Sequence, residues 1–344
     1  MSATGAQRPR GHRDKPPSGG CSAAFAGMMM EARKAAGRLP APSCRTMRQP
    51  SATSATRGAA NSETQMLPVL PCTPDAMGQP GVRPSGSFMW IDPDRVLYVG
   101  LLGAPSVRSI GAILLYVALD APFRLSVADG EWETAEIAVV PPYVPHRITS
   151  DSRSLCGFLI EPETVDLSRL PLLLRGPGGA LAAPRMAQHA RDLIAQLRGM
   201  RRPELEAGLL DTLLLGEPLV PRALDPRIDA AVRQIKGDPG SRSAATDHAR
   251  DANLSFSRFL HLFKEEVGTP FRTFRTWKRA RSLLHYVTQE ANLAEVALDT
   301  GYPDSTHFSH SIRRVYGLKP RDIFAGSRKL ALHGLPPMTA YRPA

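Results

Sequence analysis

One local pattern occurs twice in the last third of this 344-residue chain, about fifty residues apart, and it constrains the fold more than any other feature. The first copy is Ala249 to Gly268, ARDANLSFSRFLHLFKEEVG, and the second is Ala297 to Gly317, ALDTGYPDSTHFSHSIRRVYG. Each has a small helical Ala, a turn, and a helix that starts on Ser or Asp, carries an aromatic stripe and closes on Gly after a basic end. The pattern predicts two helix-turn-helix units, near 246–267 and 293–316.

Local chemistry supports each step. Asn253 and Gly301 sit where the tight turn needs positive φ, which Asn and Gly tolerate. Ser255 and Asp304 follow as N-caps whose side-chain oxygens accept from unpaired amides of the next helical turn. In the first helix Phe259, Leu262 and Phe263 recur at helical spacing as the packing face, with Ser257, Arg258, Leu260 and His261 on other faces. In the second, Phe308, Ile312 and Tyr316 form the buried stripe and leave Ser305, Thr306, Ser309, His310 and Arg313 outward.

Between them Phe274, Trp277, Ala280, Leu284 and Val287 trace one apolar stripe down a single long helix, with Arg272, Arg275, Lys278, Arg279 and Arg281 as a basic skin on its other faces. A helix from Phe271 to Val287 is roughly 26 Å long at about 1.5 Å per residue. With a reading helix packed at each end, the two stand about one DNA turn apart, roughly 34 Å, which is the spacing of successive major grooves on one side of a duplex.

These residues resemble the AraC/XylS-type transcriptional regulators. LSFSRFLHLFKEEVGTPF (Leu254 to Phe271) is similar to that family's first recognition helix and its exit. GYPDSTHFSHSIRRVYGLKPRDI (Gly301 to Ile323) is more diagnostic, with Gly301-Tyr302, Asp304, His307-Phe308-Ser309, Arg313-Arg314, Gly317 and Pro320 at the family's spacing. The resemblance covers residues 225–328 and opens at Asp225-Pro226, an N-cap followed by proline in the first turn. It implies that Ser257, Leu260 and His261 approach base edges in one groove, and Ser305, Thr306, Ser309 and His310 in the next. Arg258, Lys264, Arg313 and Arg314 then hold phosphates, which fix register without reading sequence. Leu260 suits a thymine methyl.

Two departures from the family pattern matter. Where members usually have Leu and Val on the first supporting helix, this chain has Ala245 and His248, which predicts a less firmly packed first unit; the second keeps Leu293 and Val296. The position often held by Arg in each recognition helix is His261 and His310, which predicts against bidentate reading of guanine there.

Charge agrees with a DNA partner. Residues 225–329 hold 18 Lys+Arg against 12 Asp+Glu, residues 86–224 hold 13 against 16, and residues 1–85 hold 11 against 4, within a chain of net charge +11. A basic patch attracts phosphate without specifying sequence and does not by itself exclude a membrane surface; the doubled motif decides for duplex DNA. No stretch reaches the ~18–20 apolar residues needed to span a bilayer, and the start lacks a signal-like apolar run, so no membrane contact and a cytoplasmic location are expected. Cys21, Cys44, Cys72 and Cys156 include no CxxC pair, so neither a disulfide framework nor a zinc site is indicated.

Residues 1–84 are rich in Ala, Pro, Ser, Gly and Arg with almost no aromatic residue, which predicts a disordered tail. It reads either as a basic arm on DNA or as sequence ahead of a later start at Met66, Met77 or Met89. From Ser87 the texture changes to short apolar runs, Val96–Leu102, Ile113–Leu119, Phe123–Val127, Ile137–Val140 and Leu155–Ile160, which predict a small β-barrel or sandwich over 85–165. VADGEWETAEIAVVPPYVPHRI (Val127 to Ile148) is similar to the cupin-like sensor domains that often precede this family's DNA-binding half. A catalytic cupin needs clustered His and carboxylate ligands, whereas His146 stands at a strand end without a His-x-His partner, so no metal and no cofactor are expected. Trp132, Tyr143 and His146 are the candidate effector-binding residues. Barrel packing is the alternative for Trp132 and Tyr143, and a turn or rim position for His146.

Residues 166–224 read as a helical linker, notably Ala187–Leu197 and Pro203–Leu215, and residues 329–344 as a flexible tail. The ridge of Leu205, Leu209, Leu210, Leu213 and Leu214 either pairs two subunits or packs back on the β-domain. The expected fold is α+β and multidomain: a disordered tail, a small cupin-like β-barrel, and an all-α tandem helix-turn-helix domain. The expected function is that of a sequence-specific, double-stranded DNA-binding transcriptional regulator, not an enzyme, controlled by a small-molecule effector. RNA polymerase and a second copy of the chain are candidate partners. The rival readings are a metal-dependent cupin enzyme with a DNA-binding appendage and an architectural DNA binder with no effector.

Overall fold

A computed structural model describes residues 86–101, 103–152, 154–200 and 205–334. The expectation of a disordered tail over 1–84 lies outside the described residues. The strands are β1 (Phe88–Ile91), β2 (Arg95–Leu101), β3 (Ile113–Ala118), β4 (Phe123–Val127), β5 (Glu133–Ala135), β6 (Ile137–Val140), β7 (His146–Ser150), β8 (Ser154–Ile160), β9 (Gly179–Ala180) and β10 (Ala331–Gly334). Seven form one sheet in the order β10-β1-β2-β8-β3-β6-β9, and three form a second, β5-β4-β7. Among the described residues no ladder joins the two sheets, so the β part is a pair of packed sheets and not a closed barrel.

The reason for two layers is visible in β3. Its six residues, ILLYVA, are all buried, and a continuous apolar run of this kind needs a partner on each face. On one face Leu114 and Tyr116 join Phe123, Leu125 and Ile148 of the smaller sheet. On the other, Leu115 and Val117 join Leu97, Val99 and Phe158 beneath two helices, α1 (Pro184–Gly199) and α2 (Ala207–Leu215). The leucine ridge thus packs back on the β part through Leu210, Leu213 and Leu214, with Leu205 half-buried against them and Leu209 exposed. Of the predicted helix from Pro203, residues 203 and 204 lie outside the described residues.

The remaining helices are α3 (Pro226–Gly237), α4 (Ala245–Asp251), α5 (Phe256–Val267), α6 (Phe271–Ser282), α7 (Leu293–Asp299), α8 (Ser305–Tyr316) and α9 (Pro320–Ser327). The spacer is shorter than expected: α6 stops at Ser282 and gives way to one 3₁₀ turn at Leu283–His285 instead of running to Val287. Twelve residues make it about 18 Å long. The Ser282 hydroxyl donates to the Arg279 carbonyl at 2.8 Å, a back-bond that competes with the helical ladder where it tightens.

The two helix-turn-helix units are buried differently. The first has its own core of Ile228, Val232, Phe259, Phe263, Phe271 and Phe274. The second shares one continuous core with the sheets, in which Trp277, Phe308, Ile312 and Val315 lie with Tyr116 and Phe123. Residues 331–334 also depart from the expected flexible tail: as β10 they run parallel to β1, with Phe88 opposite Ala331, and cover an edge that otherwise has unpaired backbone groups.

Candidate nucleic-acid interface

Each unit is shaped by its turn. Asn253 adopts φ 53° and Gly301 φ 81°, the left-handed conformation that reverses the chain between supporting and reading helix. At Gly301 a Cβ would lie 2.6 Å from the Gly240 Cα, so the turn also needs the space. The Ser255 hydroxyl accepts from the Arg258 amide at 3.3 Å, and the Asp304 carboxylate accepts from the Thr306 and His307 amides at 2.8 Å each. Hydrogen bonds from the His307 amide and ring, and from the Thr306 amide, hold Asp304 below the usual carboxylate range. Left-handed Gly268 and Gly317 close α5 and α8.

With the stripes of α5 and α8 turned inward, the opposite faces are free. Ser257, His261, Ser305, Thr306 and His310 are exposed, and Leu260 and Ser309 are half-buried. Arg258, Lys264, Arg313 and Arg314 are exposed, and among the described residues none of the four is in an ion pair. In the α8 stripe Val315 is buried while Tyr316 is only partly so, its hydroxyl donating to the Ala280 carbonyl at 3.1 Å.

Two expectations are corrected. The first unit is not loosely packed at His248: its ring is buried, lies nearly parallel to Phe259 with centroids 6.2 Å apart, and places Nε2 3.0 Å from the Ser243 hydroxyl. Burial, reinforced by the Arg275 charge, lowers its pKa and favours the neutral ring. Nor does the spacer wear a basic skin. Lys278 Nζ lies 2.6 Å from both Glu161 and Glu163, and Arg281 Nε lies 2.7 Å from Glu161. Trp277 Nε1 donates to Glu161 at 2.8 Å. Arg275 and Arg279 turn to the carbonyls of Pro239, Ser241 and Ser243 in the α3–α4 loop. Arg272 alone of the five is exposed.

Glu161 and Glu163 were not legible as functional residues, although two acids directly after a buried apolar strand are a signal in themselves. Burial pushes the Glu161 carboxyl up, but Lys278 and Arg281 outweigh it and hold the group below its usual range.

The candidate effector residues do not share one environment. Trp132 is 43% exposed and stacks under Arg124, with 5.8 Å from guanidinium to ring centroid. Tyr143 takes a left-handed φ of 62°, and burial followed by the charges of Glu161 and Glu163 raises its hydroxyl, which bonds to Thr269. His146 is buried, its Nε2 2.9 Å from the Tyr116 hydroxyl and its Nδ1 3.0 Å from the Val144 carbonyl. Among the described residues, no three His, Cys, Asp or Glu side chains gather as a metal site, and no helix is long and apolar enough to cross a membrane.

Two reading helices on one buttress, each with a free polar face, define a tandem helix-turn-helix protein. A protein-family model described as a helix-turn-helix domain matches residues 248–326. The invasion protein InvF of Salmonella typhi is 31% identical over 74 residues, 21% of this chain and 34% of InvF, and its Salmonella typhimurium counterpart matches equally. The chain thus spans about a third of the length of these curated relatives. Among solved structures, an apo ToxT variant from Vibrio cholerae covers 68% of this chain and 97% of its own at 12% identity and TM-score 0.44. A regulator with an AraC-type DNA-binding domain from Chromobacterium violaceum covers 30% of this chain and 92% of its own, at 22% identity and TM-score 0.28. The family match covers residues 248–326, so what it shows is a helix-turn-helix domain in that part of the chain.

Proposed function

We propose that the chain is a sequence-specific transcriptional regulator that lays α5 and α8 into successive major grooves of promoter DNA. Ser257, Leu260 and His261 read base edges in one groove, and Ser305, Thr306, Ser309 and His310 read them in the next. Arg258, Lys264, Arg313 and Arg314 hold phosphates and set the register. The observation that carries this reading is the pairing of two inward aromatic stripes with two outward polar faces, whose four cations have no carboxylate among the described residues.

The β part, over residues 85–165, is the sensor in this reading, cupin-like in its two packed sheets and placed against the second reading unit. Residues 166–224 then back the sheet, and residues 225–328 read DNA. Selection from a random duplex pool with the full chain tests the DNA assignment. Enrichment of two half-sites about 10–11 base pairs apart supports it. A pool without enrichment, or with a single half-site, contradicts it.

A further inference from the structure

Each reading head packs on its own part of the spacer, and the two heads also touch each other away from it. The contact is made by the loop between α3 and α4 against the turn of the second unit. A Cβ on Gly240 would lie 2.6 Å from the Asp299 carbonyl oxygen and 3.5 Å from the Gly301 amide nitrogen, so the loop and the turn meet backbone to backbone. Gly301 also needs its glycine for a left-handed φ, whereas Gly240 does not take that conformation. The close approach is therefore what calls for glycine at position 240. Four charge-assisted hydrogen bonds tie the same loop to the spacer. Arg279 donates from Nε to the Pro239 carbonyl and from Nη2 to the Ser241 carbonyl, at 3.0 Å each. Arg275 donates from Nη1 to the Ser243 carbonyl at 2.5 Å and from Nη2 to the Ser241 carbonyl at 2.6 Å. Such bonds are about twice as strong as neutral ones, and a planar guanidinium holds its acceptors at a set separation.

We propose that Gly240, Arg275 and Arg279 form a positioning clamp that fixes α8 relative to α5 and so commits the protein to one spacing of operator half-sites. The physical reason is the number of supports between the heads. The first unit has its own core, in which Phe271 and Phe274 of α6 lie, and the second shares Trp277 and Ala280 of α6 with the sheets. A single 12-residue helix joining two separate cores is one support, about which the heads can pivot. The Gly240–Gly301 contact, held in place by the two arginines, is a second, and two supports fix an orientation. On DNA, each base pair added between half-sites moves the far one by about 3.4 Å and turns it by about 34° around the duplex. Heads held at two places do not follow that step; heads held by α6 alone do. The three residues lie outside α5 and α8 and act through them as positioning residues. The inference rests on the two-groove reading proposed above and names what sets its register.

The test moves the two half-sites of the selected operator one base pair closer or one farther and reads the affinity of the full chain by fluorescence anisotropy, with thermal melting as the check on folding. The parent loses about tenfold or more at either shifted spacing. Gly240→Ala forces the loop and the turn apart, and Arg279→Met removes two of the four tethers. Each variant binds the three spacings within about threefold of one another, while base preference inside each half-site stays as in the parent. Arg279→Lys keeps the charge without the fork and behaves as Arg279→Met does. A loop with a structural role only would lower Tm in these variants and leave the spacing ratio as it is. Should Gly240→Ala fail to melt cooperatively, the two Arg279 variants decide, since they leave the loop's backbone unaltered. The inference is overturned if the parent binds all three spacings within about threefold, or if the folded variants keep the parent's ratio. A parent that binds the selected operator but ignores spacing sinks this inference alone; a parent that binds no duplex, or only a single half-site, sinks the two-groove reading itself.

Discussion

Lys278 Nζ sits 2.6 Å from a Glu161 carboxylate oxygen, and both side chains are buried, so the helix between the two reading heads is fastened to the end of β8 by a charge pair shielded from water. Glu163, Arg281 and Trp277 complete the same knot. The β part and the spacer are thus joined through buried charge and hydrogen-bond contacts.

Removing one member of this knot strands its partner's charge. Lys278→Met is expected to lower unfolding free energy by about 3–5 kcal/mol in urea titration, and Glu161→Gln by a comparable amount. The double variant should cost clearly less than the two singles together, since the residues are in contact. A Lys278→Met chain within about 0.5 kcal/mol of the parent shows that the pair does not hold the spacer.

His310 and Arg314 are both exposed on α8 and are assigned different work. His310→Ala should relax base preference at one operator position with little effect elsewhere. Arg314→Ala should weaken all duplexes alike and reduce the slope of log affinity against log salt by about 1. Identical behaviour of the two variants in competition binding refutes the sorting into base and phosphate contacts.

The two turns differ in their tolerance of substitution. Gly301→Ala meets both a left-handed φ and the Gly240 backbone and should cost on the order of 1–3 kcal/mol by thermal melting. Asn253→Gly keeps the same φ accessible and should change stability by no more than a few tenths of a kcal/mol. Equal tolerance at both turns contradicts the account of the second one.

Burial lowers the His146 pKa from its usual 6.5 to about 4, so between those values the unfolded chain binds a proton that the folded chain does not. The resulting stability is fully present above pH 6.5 and is lost as pH falls toward 4, on the order of 3 kcal/mol in all. His285, also lowered to about 4 by burial and by Arg281, adds to the same window. Tm should therefore fall between pH 6.5 and 4, and His146→Gln should flatten that slope. An unchanged slope in His146→Gln places the acid sensitivity elsewhere.

The tandem units were legible because their chemistry is local. Asn253 and Gly301, Ser255 and Asp304, and the stripes from Phe259 and Phe308 each act within one turn of their own position, and the structure places them as the spacing predicts. The five apolar runs likewise became β2, β3, β4, β6 and β8 within a residue or two. Long-range features were not legible. Nothing near Lys278 in sequence announces Glu161, more than a hundred residues away, so cations that belong to the protein's interior read as a basic skin. Short strands such as β5 and β10, and the division into two sheets, depend on pairing partners that period alone does not name.

The most direct measurement is hydroxyl-radical footprinting of the full chain on a selected operator. Two protected clusters about one helical turn apart are expected on one face of the duplex, with Ser257 and His261 variants altering one and Ser305 and His310 variants the other. A single protected cluster, or two that respond to the same variants, would contradict the two-groove reading.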